Sequence, residues 1–364
     1  MAKKKPNYKF RRNLAKAFLV LIIIIPIVLI NRVKLAHLPL YLSNTKYTDI
    51  IDAMFEVQYT GSEANNTLNY LKEKKKINDN TDDYILKLYD KGYNKNTIDY
   101  LIRNLNKSQI TDFLDKKYSK DFEEYIKLDL FKYSKYNRYI KYQEKHKDLS
   151  LEDVVIRIEL NMDKTYYEDS EFIKNPDEIT TLANKYYEIP EDYEPKDLVD
   201  MEDDYANNMY GTLTLRKEAY EKFKEMCNAS RKDGVKFYAE SAYRGYNYQN
   251  IIYKNYIDEN GQEKADKYAA RPGFSEHELG LALDLANIWT ITTKGEEYKW
   301  LTKNAYKYGY IIRYKKEWED ITGYSAESWH IRYVGVKAAS VIQKENITYE
   351  EYYAKYILTK KSSK

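Results

Sequence analysis

The chain contains a single cysteine, Cys227, among its 364 residues. One thiol cannot form an intramolecular disulfide or a thiolate zinc cluster, which excludes the disulfide-framework class of protein. Histidine is also scarce, and its four positions are His37, His146, His277 and His330. Any metal site must therefore use histidine, aspartate or glutamate, and histidine-dependent chemistry has very few candidates.

Acidic residues are missing from positions 1–16, which hold seven basic residues. The rest of the chain is mildly acidic, and this argues against nucleic-acid binding, which needs a basic stripe on the folded domain. Residues 17–30, AFLVLIIIIPIVLI, form a charge-free apolar run with no good cleavage motif after it. We therefore expect an uncleaved transmembrane signal anchor over 17–38, preceded by a basic cytoplasmic arm. By the positive-inside rule, the remainder faces away from the cytoplasm.

Tryptophan is absent before residue 210, and ten of the twelve glycines also lie beyond it. Residues 40–175 show apolar side chains at three- and four-residue spacing, which predicts a mainly helical extracytoplasmic region. This region is a helical spacer or a module that binds wall polymer, and such periodicity favours the spacer. Alternating apolar residues over 154–160 predict a strand within it. Prolines and an acidic run then place the start of a second domain near residue 176.

Two segments concentrate the residues that carry chemistry, ARPGFSEHELGLALDLANIW and SAESWHIRYVG. The zinc motif HExxH is excluded because Leu281 stands four residues after His277. In GLALDLA, strand alternation places Asp284 on a face of small residues, opposite the leucines. The second segment also has the pattern of a strand, and it carries Glu327 and His330.

Two imidazoles and one carboxylate are a sufficient protein ligand set for catalytic zinc, with a fourth position left for water. His277, Asp284 and His330 fit this set, and Glu327 is then a spare carboxylate that could act as general base and proton donor. Spacing alone leaves a second interpretation equally open. The histidines could be ordinary core or surface residues, and the acids could be solvated.

The two segments resemble the VanY-type D-alanyl-D-alanine carboxypeptidases, zinc peptidases of bacterial peptidoglycan related to the VanX dipeptidases. SEHELGLALD has the form SxHxxGxAxD and ESWH has the form ExWH. ESAYRGYNYQ is similar to the SGYRSxxxQ element of that family, and the similarity continues through WLTKNAYKYGYIIRY to ITYEEYY. Together these motifs cover about half of the chain, from residue 179 to residue 357.

The resemblance implies a zinc peptidase domain over 176–358, of α+β class, with a small antiparallel sheet flanked by helices. It implies His277, Asp284 and His330 as zinc ligands and Glu327 as the catalytic base. It also implies that Arg244 lies in the cleft, to stabilise the oxyanion or to hold the substrate carboxylate.

Two further cleft positions follow from the resemblance, Gln249 and Ser275, as substrate contacts. For each there is an alternative, because Ser275 could cap the turn before the histidine and Gln249 could be an exposed helix residue. The chain departs from the family where Gly245 follows Arg244 and where Ser328 replaces a common proline. Neither departure touches a predicted metal ligand or the base.

The resemblance therefore implies a zinc D,D-carboxypeptidase that hydrolyses the terminal D-Ala-D-Ala bond of peptidoglycan stem peptides or their precursors. With the anchor expected over 17–38, we expect it in the bacterial cell membrane, with the catalytic domain on the extracytoplasmic side. An L,D-carboxypeptidase acting on tetrapeptide stems is an alternative, because related enzymes share the same motifs. A non-catalytic wall-binding protein is the third possibility. It is disfavoured because a relic has no reason to retain the two histidines, the two acids and Arg244 together.

Overall fold

A computed structural model of the chain describes residue 32 and residues 34–209, 211–285 and 291–359. These residues form two compact units that divide between Lys127 and Leu128. The predicted anchor over 17–38 lies mostly outside the described residues. Within the described ranges, no helix has the length and apolar character needed to cross a bilayer.

The first unit is helical, as its three- and four-residue periodicity predicts. Asn94 and Asn106 cap successive helices, because each side chain accepts a hydrogen bond from a backbone N–H of the following first turn. Leu68, Ile85 and Leu101 are fully buried in its core. Its helices are Leu38–Ser43, Thr48–Glu56, Gly61–Glu73, Thr81–Asp90, Lys95–Asn104, Lys107–Asp115 and Lys120–Tyr125.

The second unit opens with two helices, Tyr136–Lys145 and Leu151–Glu159. The strand predicted over 154–160 is wrong, because this segment belongs to the second of these helices. Ser150 caps it by accepting a hydrogen bond from the Asp153 N–H at 3.1 Å. The side chains of Val154 through Ile158 are all buried, Arg157 among them, so this short segment has no exposed face whose period would distinguish a buried helix from a strand.

Two short strand pairs precede the main sheet. Strand β1, Glu171–Phe172, runs parallel to β2, Tyr187–Glu188. Strand β3, Leu198–Asp200, is antiparallel to β4, Thr214–Arg216. The helices of the rest of the unit are Lys217–Lys232, Tyr246–Asn260, Gln262–Tyr268, Glu296–Asn304, Glu319–Thr322, Val336–Glu345 and Tyr349–Tyr352, followed by a π-helical segment, Tyr353–Leu358.

The main sheet is antiparallel and has the strand order β5–β6–β8–β7. Its strands are β5, Ala239–Ser241; β6, Ala282–Leu285; β7, Tyr310–Tyr314; and β8, Glu327–Tyr333. One face of the sheet packs on the helix Lys217–Lys232, and Leu283, Leu285 and Ile331 are fully buried in the shared core. This confirms the predicted α+β class and the predicted strands in GLALDLA and WHIRYVG.

The predicted domain start at residue 176 lies inside the second unit, not at the division between units. Residues before position 176 form an ion pair and a hydrogen bond with residues after it. Arg157 forms an ion pair with Asp320, and the Tyr187 hydroxyl donates to the backbone carbonyl of Glu159 at 3.3 Å. The helix Leu151–Glu159 is therefore part of the same folded body as the sheet.

This arrangement predicts that a chain of residues 128–364 is markedly more stable than a chain of residues 176–364. The shorter chain loses the buried side chains of the helix Leu151–Glu159 and leaves Asp320 without its ion-pair partner. Removing four large buried aliphatic side chains costs several kcal/mol in total, at about 1.5–3 kcal/mol each. Thermal unfolding of both chains, followed by circular dichroism, measures the difference. Equal melting temperatures would contradict the prediction.

Candidate metal centre

His277 lies in a short 3₁₀ helix, Glu276–Leu279, whose start and end are both fixed. At its start, the Ser275 hydroxyl accepts a hydrogen bond from the His277 N–H at 3.4 Å. The Glu278 carboxylate accepts from the backbone N–H of Ser275 at 3.2 Å, which completes a capping box. At its end, Gly280 has a φ of +62°, a conformation that glycine adopts at low cost. The sequence SEHELG thus holds the histidine rigidly.

Asp284 and His330 come from two neighbouring strands of the main sheet. They are direct partners in the register of β6 and β8, and the Asp284 Oδ1 atom lies 3.1 Å from the His330 Nδ1 atom. The second carboxylate oxygen of Asp284 lies 3.3 Å from the His277 Nε2 atom. One ligand atom from each of these three residues lies within 4.8 Å of the others. The structure therefore brings the three predicted ligands together.

The tautomer of His277 suits a metal ligand. Its Nδ1 atom lies 2.6 Å from the carbonyl oxygen of Ala242, which can only accept a hydrogen bond. The proton is therefore on Nδ1, and Nε2 carries the lone pair. Nε2 is buried and has no hydrogen-bond partner among the described residues. A buried, unpartnered lone pair beside a carboxylate is what a divalent cation would satisfy, so these residues fit a metal ion.

Burial and neighbouring charges move the pKa values of the two imidazoles in opposite directions. Burial, with the positive charge of Arg244, lowers the pKa of His277 to about 4, which keeps this ring neutral. Burial also acts to lower the pKa of His330, but its hydrogen bonds with Asp284 and Glu276 outweigh that effect and raise it to about 9. For Asp284, burial is outweighed by the nearby histidines and Arg244, which hold the pKa of its carboxyl well below the usual range.

Glu327 begins strand β8, three residues before His330. Its Oε2 atom lies 3.7 Å from the His330 Nδ1 atom, at the edge of the proposed ligand set. Burial raises the pKa of this carboxyl to about 7, and the negative charge of Asp284 adds to the effect. A carboxyl with a pKa near neutrality can both take up and release a proton at working pH, as a general base and acid must.

Arg244 reaches the same site from the loop after β5. Its Nη1 atom donates to the Ser241 hydroxyl at 3.1 Å and to the Asp284 Oδ2 atom at 3.2 Å. Its Nε atom is buried and has no hydrogen-bond partner within the described parts of the chain. The guanidinium thus lies beside the predicted metal ligands with donor capacity left for an anionic group.

The other two predicted substrate contacts are buried and make bonds within the protein. The Gln249 amide nitrogen donates to the carbonyl oxygen of Ala270 at 2.8 Å, whereas its Oε1 atom is unpartnered among the described residues. Gln249 is therefore not an exposed helix residue. Ser275 acts as the cap described above. Direct contact of either residue with substrate stays a prediction.

Sequence reasoning missed three residues around the site. Glu276, next to His277, has its Oε2 atom 3.4 Å from the His330 Nε2 atom. The Tyr314 ring lies 5.0 Å from the imidazole of His330, centroid to centroid. Burial raises the pKa of Tyr256, and the charges of Glu327 and Asp284 add to it, which places this hydroxyl near the site.

Of these three residues, only Glu276 could have been anticipated from the sequence, because Arg313 requires a buried anion as its partner. Arg313 interrupts the apolar run YIIRY of strand β7. A cation in a strand that is otherwise buried requires a buried anion. Glu276 is that anion, and the Arg313 Nε atom donates to it at 2.9 Å.

The raised pKa of Glu327 predicts a pH-dependent effect of Glu327→Gln on the stability of the metal-free protein. A folded-state pKa of about 7 exceeds the unfolded value of about 4.3, so the folded protein loses stability as pH rises between these values. Glutamine does not titrate. The free energy of unfolding of the variant, relative to that of the parent, should therefore rise by about 2 kcal/mol between pH 5 and pH 8. Urea unfolding with a chelator present measures this gain, and a pH-independent difference would contradict it.

Comparison with known proteins shows that the second half of the chain is similar to carboxypeptidases. A family model described as D-alanyl-D-alanine carboxypeptidase, VanY, matches residues 212–336. The "Putative carboxypeptidase YodJ" of Bacillus subtilis (strain 168) is 42% identical over 211 residues, which cover 54% of this chain and 77% of that protein.

Two further similarities concern named carboxypeptidases. A D-alanyl-D-alanine carboxypeptidase of Enterococcus faecium is 36% identical over 177 residues, 47% of this chain and 56% of that protein. The chain thus spans little more than half of that relative. The solved structure of the LdcB LD-carboxypeptidase has 42% sequence identity and a TM-score of 0.48, and the match covers 52% of this chain and 92% of that one.

Proposed function

This chain belongs to the VanY family of D-alanyl-D-alanine carboxypeptidases, and from that premise we propose that it removes the C-terminal D-alanine from peptidoglycan stem peptides with the help of zinc. The observation that carries the proposal is the convergence of His277, Asp284 and His330 within 4.8 Å, with Glu327 beside them. Two imidazole nitrogens and one carboxylate oxygen are a donor set that catalytic zinc uses, and they leave a position open.

The three ligands would hold the ion through His277 Nε2, an Asp284 carboxylate oxygen and His330 Nδ1. When bound, zinc would supply Lewis acidity, which acidifies a water molecule and polarises the scissile carbonyl. The chain's own residues then govern proton movement and substrate position.

Glu327 is the proton carrier in this scheme. Its carboxylate accepts a proton from the attacking water and passes it to the nitrogen of the departing D-alanine as the peptide C–N bond breaks. The products are the shortened peptide, ending in a carboxylate, and free D-alanine. Because water is consumed and no group is transferred to the protein, the reaction needs no covalent intermediate.

Arg244 contributes positive charge on the substrate side of the site. Its bond to Asp284 at 3.2 Å fixes the guanidinium, and its Nε atom has no hydrogen-bond partner among the residues that the structure describes. Arginine pairs with carboxylates through two parallel hydrogen bonds, so it suits the terminal carboxylate that every carboxypeptidase substrate presents. Stabilisation of the developing oxyanion is the second role that this position supports.

Stem peptides test the reaction directly. We expect the protein to release D-alanine from a pentapeptide that ends in D-Ala-D-Ala, faster than from a tetrapeptide whose last bond joins an L centre to D-alanine. Mass spectrometry of the products, with and without a chelator, separates the two activities. Preferred cleavage of the tetrapeptide would establish the L,D alternative.

Glu327→Gln should lower kcat at least about 100-fold, because the proton carrier is lost. Zinc content should remain near one ion per chain, since the three ligands are intact. Glu317→Gln is a matched control, because Glu317 is an exposed carboxylate on the same unit, and it should keep full activity. Unchanged turnover in Glu327→Gln would refute the role of Glu327.

We further propose that residues 17–38 anchor the protein in the bacterial membrane, with the catalytic unit outside the cytoplasm and beside its wall substrate. The basic arm and the apolar run support this topology. Protease added to spheroplasts should digest the chain after residue 40, while a tag at the N-terminus survives until the cells are lysed. Loss of the tag from intact spheroplasts would contradict the topology.

A further inference from the structure

Glu276 is a carboxylate buried directly behind His330. Only 2% of the residue is exposed, and its Oε2 atom lies 3.4 Å from the Nε2 atom of His330. The Nδ1 atom on the other side of the same ring faces Asp284. A buried carboxylate is costly unless it is paired, so its presence at this position needs an explanation.

Two arginines keep Glu276 ionised. Its Oε1 atom accepts from the Arg313 Nε atom at 2.9 Å, and the Arg332 Nη1 atom lies 3.2 Å away. Both guanidinium groups stay charged at any working pH, so their two contacts favour the ionised carboxylate. An ionised carboxylate can only accept hydrogen bonds, so it favours an N–H at the nitrogen of His330 that faces it.

We propose that Glu276 is a positioning residue, which holds the proton of His330 on Nε2 so that the Nδ1 lone pair faces the metal. The inference rests on the proposed zinc centre. A carboxylate behind a ligating imidazole fixes the tautomer and ring orientation and makes the imidazole a stronger ligand. His277 has the matching arrangement in reverse, with Nδ1–H on the carbonyl of Ala242 and Nε2 toward the site.

The surrounding contacts show how Glu276 is itself held. Arg313 forms two further bonds to Glu350, at 3.0 and 2.5 Å. Two guanidiniums and two carboxylates therefore balance in charge without any contribution from His330. The Arg332 Nη2 atom also donates to the backbone carbonyls of Ile179 and Thr181. Through these arginines, Glu276 is connected to the short helix Tyr349–Tyr352 and to the backbone at residues 179 and 181.

Glu276→Gln, made in the full chain in detergent, tests the inference, and Glu350→Gln is the matched control. Each change leaves Arg313 with one carboxylate instead of two, but only the first removes the group that faces His330. The measurement is the zinc dissociation constant, by competition with a chromophoric chelator. We expect Glu276→Gln to weaken zinc binding by 10- to 100-fold, and Glu350→Gln to change it by less than about threefold.

Side-chain ¹H–¹⁵N NMR of the zinc-loaded protein gives a second readout, which a merely structural role would not move. The parent and Glu350→Gln should show the His330 Nε2–H signal shifted downfield by its bond to the Glu276 carboxylate, whereas Glu276→Gln should move this signal upfield or lose it to exchange with water. Should Glu276→Gln fail to fold, Glu276→Asp is the second variant. It keeps a negative charge near the arginines, but its side chain is one methylene shorter, so the carboxylate lies farther from His330. That variant should also bind zinc more weakly.

Equal losses of zinc affinity in Glu276→Gln and Glu350→Gln would overturn the inference, because they would show a general effect of the ion network. An unchanged affinity in a folded Glu276 variant would also overturn it. The proposed function fails separately, if the parent binds zinc tightly but cleaves no stem peptide. In that case the difference between the two variants still decides the role of Glu276.

Discussion

The pairing of β6 with β8 is the constraint on which the rest of the site depends. Their register sets Asp284 opposite His330, and the alternate side chains, such as Leu283 and Ile331, are fully buried on the other face of the sheet. A shift of either strand by one residue would turn its polar side chain into the core and its aliphatic neighbour into the site. The hydrophobic core therefore selects the ligand geometry.

The site also depends on how buried charge is compensated. Glu327, Asp284 and Glu276 are all largely buried around the two histidines. Glu276 is paired with two arginines, whereas Glu327 forms no ion pair with an arginine among the described residues, and burial raises its pKa to about 7. This difference separates their roles. The compensated carboxylate stays charged and acts as a fixed support, and the uncompensated one can exchange a proton.

The site was more predictable from the sequence than the fold was. Strand alternation placed Asp284 on a face of small residues, because period-two patterns report which face a residue occupies. Spacing alone left two interpretations open, and the family resemblance was needed to join His277, Asp284 and His330 in one site. The same reasoning failed over 154–160, where a helix buried on all sides leaves no period to read. The link between Arg313 and Glu276 spans 37 positions, and pairing at that distance is set by tertiary packing, which local pattern does not encode.

The geometry also explains why a divalent ion would matter for the fold as well as for chemistry. In its absence His330 is drawn toward protonation by Asp284 and Glu276, and a protonated ring has no lone pair for a metal on Nδ1. Binding a cation would replace that proton and would compensate Asp284 and Glu327 together. Zinc affinity should then be coupled both to proton release and to folding stability. The ligand cluster joins the 3₁₀ helix to two strands of the main sheet, so the ion would add a cross-link to segments that strand pairing and the core already hold together.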